Sequence, residues 1–239
     1  MSLQRWGERQ NRDIFHPTEK RYSVGFKSKE GDRNWCKIMN ISQAESVTAI
    51  VLAGGQSSRM GRDKALISVN NVPLIRQVCE VAQECASVVY VVTPWIERYQ
   101  DILPHNCQLI REAYDLEAGK THGPLIGFRQ ALELVQTDWV LLLACDLPNL
   151  KVEVLQSWLQ QLPVSEDAIA LLPRHPKGWE PLCGFYRRCC LPLLCEYINR
   201  GGRSFQHWLA EHSVQELPVT QPEVLFNCNT PADLEALEN

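Results

Sequence analysis

One stretch constrains the fold more than any other: the apolar run Ile50-Val51-Leu52-Ala53 breaks abruptly into Gly54-Gly55-Gln56-Ser57-Ser58-Arg59-Met60-Gly61-Arg62-Asp63-Lys64. An unbroken apolar, β-branched run suits a strand buried on both faces, the situation of parallel sheets covered by helices on either side. The glycine pair falls where such a strand would leave the sheet. Lacking side chains, Gly54 and Gly55 let a ligand approach the backbone and let consecutive N–H groups turn toward an anion. Arg59 adds a planar fork for phosphate oxygens, and Lys64 a compact charge on a flexible stem. These residues predict a phosphate-binding turn, with a plain glycine turn and solvated charges as the alternative. Within this window no Lys-Ser or Lys-Thr follows a glycine, as the Walker pattern requires, and the three-glycine dinucleotide fingerprint is also missing.

Downstream the chain alternates. Val88 to Val92, Gln108 to Arg111, Trp139 to Ala144 and Ala168 to Leu172 read as strands. Helices are expected from Val72-Pro73-Leu74-Ile75, over Ile96 to Tyr99, from Gly123-Pro124 through Leu134, and over Val152 to Leu162. Leu74, Ile75, Val78, Val81 and Ala82 recur at helical spacing, and Pro73 falls early, where its missing N–H costs nothing. Alternation of this kind predicts a Rossmann-like, three-layer α/β/α fold with a mostly parallel sheet, whose ligands gather at the carboxyl ends of the strands. Trp179 to Tyr186 reads as a later strand, and Gly201-Gly202-Arg203-Ser204-Phe205 as a turn before a helix holding Trp208 and Leu209.

Three further places carry chemistry. Gly123-Pro124 opens a helix whose N-terminus directs partial positive charge at the crevice, although glycines at a helix start also serve tight packing. Asp146 directly follows a buried strand and precedes Leu147-Pro148, which fixes a carboxylate at the sheet edge. Hard oxygen ligands of this sort suit Mg²⁺, which takes one or two protein carboxylates and keeps several waters. A lone aspartate capping the next turn is the structural alternative. In the segment Asn227-Cys228-Asn229-Thr230-Pro231-Ala232-Asp233, Thr230 caps a helix, Pro231 takes its first turn and Asp233 lies near its positive end. Capping leaves Asn227 and Asn229 unexplained; on alternate positions of an extended segment, their side chains point the same way and could reach substrate.

Leu52-Ala53-Gly54-Gly55, Arg59-Met60-Gly61, Asp63-Lys64, the Gly-Pro-Leu-x-Gly run at 123–127 and the Asn-x-Asn-Thr-Pro run at 227–231 resemble the motifs of the molybdenum cofactor guanylyltransferases, the MobA family of a wider nucleotidyltransferase superfamily. The resemblance covers residues 47–239 and implies one nucleotidyltransferase domain, with a nucleotide-binding half at 47–150 and a pterin-binding half at 151–239. It implies transfer of GMP from GTP to the phosphate of molybdopterin or Mo-molybdopterin, with Mg²⁺ as cofactor and pyrophosphate as leaving group. The implied roles put Leu52, Ala53, Gly54, Gly55, Gly123 and Gly127 around the nucleoside, Arg59 and Lys64 on the phosphates, Asp146 on Mg²⁺, and Asn227 and Asn229 toward the pterin; by charge Arg174, Lys177 and Arg203 could hold the pterin's phosphate, with solvated surface as the equal alternative. The family's guanine-binding acid, usually an aspartate, falls at Glu112, with Asp115 as rival. A carboxylate suits guanine because N1 and N2 both donate. Related enzymes that use CTP usually carry Leu-Ala-Ala-Gly at the glycine loop, so cytidylyl transfer is the near alternative and a non-catalytic nucleotide-binding protein the distant one. Molybdenum-insertion and molybdoenzyme chaperones are the protein partners implied.

Composition sets the remaining limits. At 22% charged and 45% hydrophobic over 239 residues, the chain is of ordinary globular type and holds no apolar run long enough for a membrane span. Its ten cysteines form no Cys-x-x-Cys pair, so reduced thiols in a cytoplasmic protein are expected, without a disulfide framework or zinc site. Cys189-Cys190 predicts one exposed and one buried thiol at a helix start. Residues 1–40 carry nine basic and five acidic side chains, a net +4 against −8 for the remainder. The mixed signs follow no period, which predicts a disordered or mis-assigned extension, with Met39 as an alternative start. Neither nucleic acid nor a membrane is expected as partner.

Overall fold

The strand at the head of the glycine turn, β1 (Val47–Leu52), is buried along all six residues, as its sequence demands. The computed structural model describes residues 47–55, 63–115, 120–121, 123–162 and 165–238, which lie in one compact unit within residues 41–239. The expectations for residues 1–40 fall outside the described residues.

After β1 comes a short hairpin of β2 (Ser68–Val69) and β3 (Val72–Pro73), then α1 (Leu74–Gln83), β4 (Val88–Thr93), α2 (Ile96–Tyr99) and β5 (Cys107–Arg111). A second hairpin, β6 (Tyr114–Asp115) and β7 (Lys120–Thr121), leads to α3 (Pro124–Leu132) and β8 (Trp139–Ala144). The remainder runs α4 (Val152–Leu159), β9 (Ala170–His175), β10 (Gly178–Trp179), β11 (Cys183–Arg187), α5 (Leu191–Asn199), α6 (Phe205–Ala210), β12 (Val214–Leu217) and α7 (Pro231–Glu238).

Eight of these strands form one sheet in the order β10-β9-β11-β8-β1-β4-β5, with β12 beside β9. β8, β1, β4 and β5 are parallel, and β12 is parallel to β9; β11 and β10 run against their neighbours. The sheet is therefore mostly parallel, as expected. Alternate residues of β1 feed two cores. Ala49 and Val51 pack with Ile75, Val78, Cys79 and Ala82 of α1 and with Leu155 and Trp158 of α4. Ile50 and Leu52 pack with Leu125, Phe128 and Leu132 of α3, Leu194 of α5 and Trp208 of α6. Three layers follow from that period of two.

The chain leaves β1 for β4 and β5 on one side, then returns through α3 to β8 on the other. Such a reversal opens a crevice at the carboxyl ends of the diverging strands. The fold places that crevice beside Leu52 and Ala144, which are paired in register.

Several boundaries differ from the sequence reading. Val72 and Pro73 do not begin a helix. Asn70 and Asn71, with φ of 53° and 63°, turn the chain as a tight hairpin, and Pro73 pairs with Ser68 before Leu74 starts the helix. The strand expected over Trp179 to Tyr186 is two, β10 and β11, separated by residues 180–182. Strand β12 escaped the reading because Gln215 and Glu216 are exposed at a sheet edge and dilute its pattern. Cys189 is exposed and Cys190 buried immediately before α5, as expected.

Leu141 is fully buried on the central strand pair. Leu141→Ala is expected to lower unfolding free energy by about 2–5 kcal/mol in a urea titration, with an unchanged dependence on denaturant.

Candidate active site

Backbone ladders continue past the strand ends and fix the two halves of the site. Ala53 N donates to Val92 O at 2.9 Å, and Cys145 N to Leu52 O at 3.2 Å, so the glycine turn and the Asp146 loop leave the sheet side by side. Between them lies a cleft of about 230 Å³. Of the residues expected at the site, Leu52, Ala53, Gly54, Gly55, Lys64, Glu112, Gly123, Gly127 and Asp146 all line it.

Lys64 stands on a single 3-10 turn, residues 64–66. Asp63 caps that turn, accepting from Ala65 N through Oδ1 at 3.1 Å. Its other oxygen accepts from the buried Tyr99 hydroxyl at 2.7 Å and from Arg98 at 3.3 Å. Asp63 is thus a positioning residue for its neighbour. The motif contained it, but its work depends on α2, which no local pattern reveals.

The Lys64 ammonium lies 3.7 Å from Asp146 Oδ2 and donates to Asn229 Oδ1 at 2.5 Å. The Asp146 side chain is 15% exposed, and burial pushes its carboxyl above the ordinary carboxylate range while Lys64 pulls it back. Asn229 reaches the site because its segment is pinned twice. Cys228 N donates to Asp146 O at 3.0 Å, and the buried Cys228 side chain packs with Ile67, Val69 and Leu74. Thr230 and Asp233 then close α7 with a reciprocal cap: Asp233 accepts from the Thr230 and Asn229 amides, and Thr230 Oγ1 accepts from Asp233 N.

Opposite the charged end, Glu112 follows β5 and is 5% exposed. Burial raises its carboxyl to about 7. A Cβ at position 54 would overlap the Glu112 carboxylate, and one at Gly127 would touch both Glu112 and Val92. Glycine at 54 is thus the vacancy into which the acid fits. Gly123, at φ 94°, turns the chain into Pro124 and α3, whose first turn forms the adjoining wall.

Other expectations separate from the cleft. Asn227 lines a second hollow and donates to Leu225 O at 3.1 Å, so the two asparagines serve different surroundings. Arg203 lines neither hollow; its guanidinium donates to the carbonyls of Ile198 in the last turn of α5 and of its own neighbour Gly202. Arg59 lies outside the described residues. Asp115 belongs to β6, and its side chain is likewise outside the description.

A mostly parallel α/β/α sheet whose switch-point cleft joins a glycine turn, a capped lysine and a strand-end aspartate defines a nucleotidyltransferase. A solved nucleotidyl transferase from Methanothermobacter thermautotroptrophicus shares the fold, with a TM-score of 0.62, 18% identity and coverage of 80% of this chain and 95% of that one. More narrowly, the chain belongs to the MobA-like NTP transferase domain family, which matches residues 49–232. It is 61% identical over 194 residues to a probable molybdenum cofactor guanylyltransferase of Trichormus variabilis, covering 81% of this chain and 91% of that one. A counterpart from Synechococcus elongatus is 42% identical over 191 residues, 80% of this chain and 97% of that one. Among solved structures, molybdopterin-guanine dinucleotide biosynthesis protein A from Archaeoglobus fulgidus matches with a TM-score of 0.63 and 25% identity, over 80% and 96% of the two chains.

Glu112 gives stability a pH dependence. From its ordinary value of 4.5 up to about 7, the folded chain keeps a proton that the unfolded chain has lost, so its contribution falls as pH rises through that window. Urea midpoints at pH 5 and pH 7.5 should therefore drop further for the wild type than for Glu112→Gln; equal drops would remove burial as the cause.

Proposed function

We propose that the chain transfers GMP from GTP to the phosphate of molybdopterin, or of its molybdenum-loaded form, and releases pyrophosphate. The observation that carries this reading is the meeting of Lys64 and Asp146, 3.7 Å apart, in a cleft whose opposite wall presents Glu112. One end offers charge for phosphates and the other an acceptor for a base. The names of relatives at 61% and 42% identity support the same acceptor.

Guanine N1 and N2 donate to the Glu112 carboxylate, while Gly54, Gly55 and Gly127 leave the nucleoside room at the backbone. The residues also fit Mg²⁺. The Asp146 carboxylate is recessed, and burial raises its proton affinity, as expected of a negative charge short of compensation. Among the described residues no three His, Cys, Asp or Glu side chains gather into a protein cage, which suits an ion that completes its shell with phosphate oxygens and water. When bound, Mg²⁺ supplies neutralisation of the triphosphate and of the departing pyrophosphate.

An oxygen of the acceptor phosphate forms a bond to the α-phosphorus of GTP. The bond from that phosphorus to the bridging oxygen breaks, and its electron pair leaves with pyrophosphate. The attacking oxygen is already an anion, so no general base is needed. Lys64, held by Asn229 and by the Asp63 cap, keeps phosphate oxygens in line and meets negative charge as it builds. Buried thiols such as those of Cys79, Cys183 and Cys190 suit the reducing cytoplasm to which we assign the reaction.

CTP is the second reading, and position 54 weighs against it. The alanine usual in CTP-using relatives would push the Glu112 carboxylate from its place here. Because that carboxylate ends a flexible side chain, the cost falls on base recognition before it falls on folding.

Pyrophosphate release with GTP, Mg²⁺ and molybdopterin, each omitted in turn, tests the reaction. Lys64→Ala and Asp146→Asn should each lower kcat/KM by about 10²–10³; undiminished turnover in Asp146→Asn sinks the mechanism. GTP affinity, followed by calorimetry, should tighten as pH rises through about 7 and lose most of that dependence in Glu112→Gln. CTP competing as well as GTP would favour the second reading.

A further inference from the structure

Beside the nucleotide cleft lies a hollow of about 130 Å³ whose walls include Leu147, Glu180, Leu182, Leu225 and Asn227. It adjoins the cleft directly. Leu182 lines both, and Leu147 in the hollow follows Asp146 in the cleft. Its size is that of cavities that admit one aromatic ring.

Glu180 is the anomaly in this mainly apolar surface. Its amide donates to Pro173 O at 3.0 Å, continuing the β9–β10 pairing in which Trp179 faces Arg174. Opposed residues of such a pair share a face, and Pro173 is two residues beyond Leu171, which packs in the same core as Leu147 and Val224. The side chain of Glu180 is therefore directed to the sheet face where the hollow lies. Among the described residues no side-chain hydrogen bond reaches its carboxylate; burial raises its proton affinity, and the charge of His175 draws it only part of the way back. A half-buried carboxylate so placed is an acceptor waiting for donors.

The backbone that carries it is held on every side. Tyr186 OH donates to Pro181 O at 2.8 Å, Ala144 N to Leu182 O at 2.8 Å and Cys183 N to Glu180 O at 3.4 Å. Gln206 brackets Trp179, accepting from its amide at 3.1 Å and donating to its carbonyl at 2.6 Å. Support of this kind is what a recognition group needs if its geometry is to discriminate.

We propose that Glu180 is a specificity-determining residue that reads the amino-pyrimidinone edge of the acceptor heterocycle, accepting from its ring N–H and exocyclic amine, with Leu147, Leu182 and Leu225 against the ring. This rests on the transferase reading above. A pterin presents the same pair of adjacent donors as guanine, so the protein uses one chemical device twice: Glu112 for the donor nucleotide and Glu180 for the acceptor. Asn227 stands between the hollow and Asn229, along the path from ring to phosphate.

The test uses the full chain and two probes: the phosphate ester of hydroxymethylpterin, and the matching lumazine ester, in which oxygen replaces the exocyclic amine. Binding is read from ligand fluorescence, and GTP binding by calorimetry reports that each variant is folded. The wild type should prefer the pterin ester by about tenfold or more, because the lumazine oxygen faces the carboxylate without a proton. In Glu180→Gln that preference should fall to near unity while GTP affinity is unchanged, and in turnover KM for molybdopterin should rise with kcat retained. Equal binding of the two esters by the wild type, a preference that survives in Glu180→Gln, or no binding of the pterin ester by a chain that binds GTP would overturn the proposal. Discrimination between the esters without pyrophosphate release would instead sink the transferase reading and leave Glu180 as a pterin-recognising group.

Discussion

The register of two buried strands governs the rest of this molecule. Because Leu52 pairs with Ala144, the turn after β1 and the loop after β8 emerge at the same height and side by side. A slip of one residue would turn every side chain of either strand to the opposite core, so the pairing is held by both apolar layers at once. An ammonium and a carboxylate 3.7 Å apart are the result. Neither belongs to the core, yet the core decides where both stand.

Around that pair the protein surrounds flexible side chains with fixed backbone. Lys64 has a long stem, but its turn is capped by Asp63, whose second oxygen is tied to Tyr99 and Arg98 in α2. Asp146 is held through its own carbonyl by Cys228. Glu112 is confined by the absence of a side chain at Gly54. Each group is placed by a neighbour from a different part of the chain, and the entropy of ordering it falls on folding instead of on binding.

Much of this was legible in the sequence, for identifiable reasons. The apolar runs of β1, β4 and β8 are long and nearly unbroken, and glycine soon follows β1 and aspartate β8, so those strands and the turns after them are legible together. Capping was legible at Thr230-Pro231-Ala232-Asp233 because it is a local exchange over four residues. What could not be read were contacts between distant segments. Asp63 showed as part of a motif, but its tie to Tyr99 spans 36 residues. By charge Arg203 reads as a phosphate ligand, whereas its partners are the carbonyls of Ile198 in the preceding helix and of its own neighbour Gly202. The hairpin at Asn70-Asn71 lies within reach of turn chemistry, but the helical period that begins at Leu74 dominates the window and hides it.

The contact between Lys64 and Asn229 spans 165 residues of chain. At the usual pace of synthesis the lysine leaves the ribosome roughly ten to thirty seconds before the asparagine that holds it. During that interval the sheet's centre can assemble while the Lys64 ammonium still lacks one of its anchors. The anchoring of Lys64 therefore coincides with closure of the last part of the interior, because Cys228, next to Asn229, is itself a core residue packed on Ile67, Val69 and Leu74.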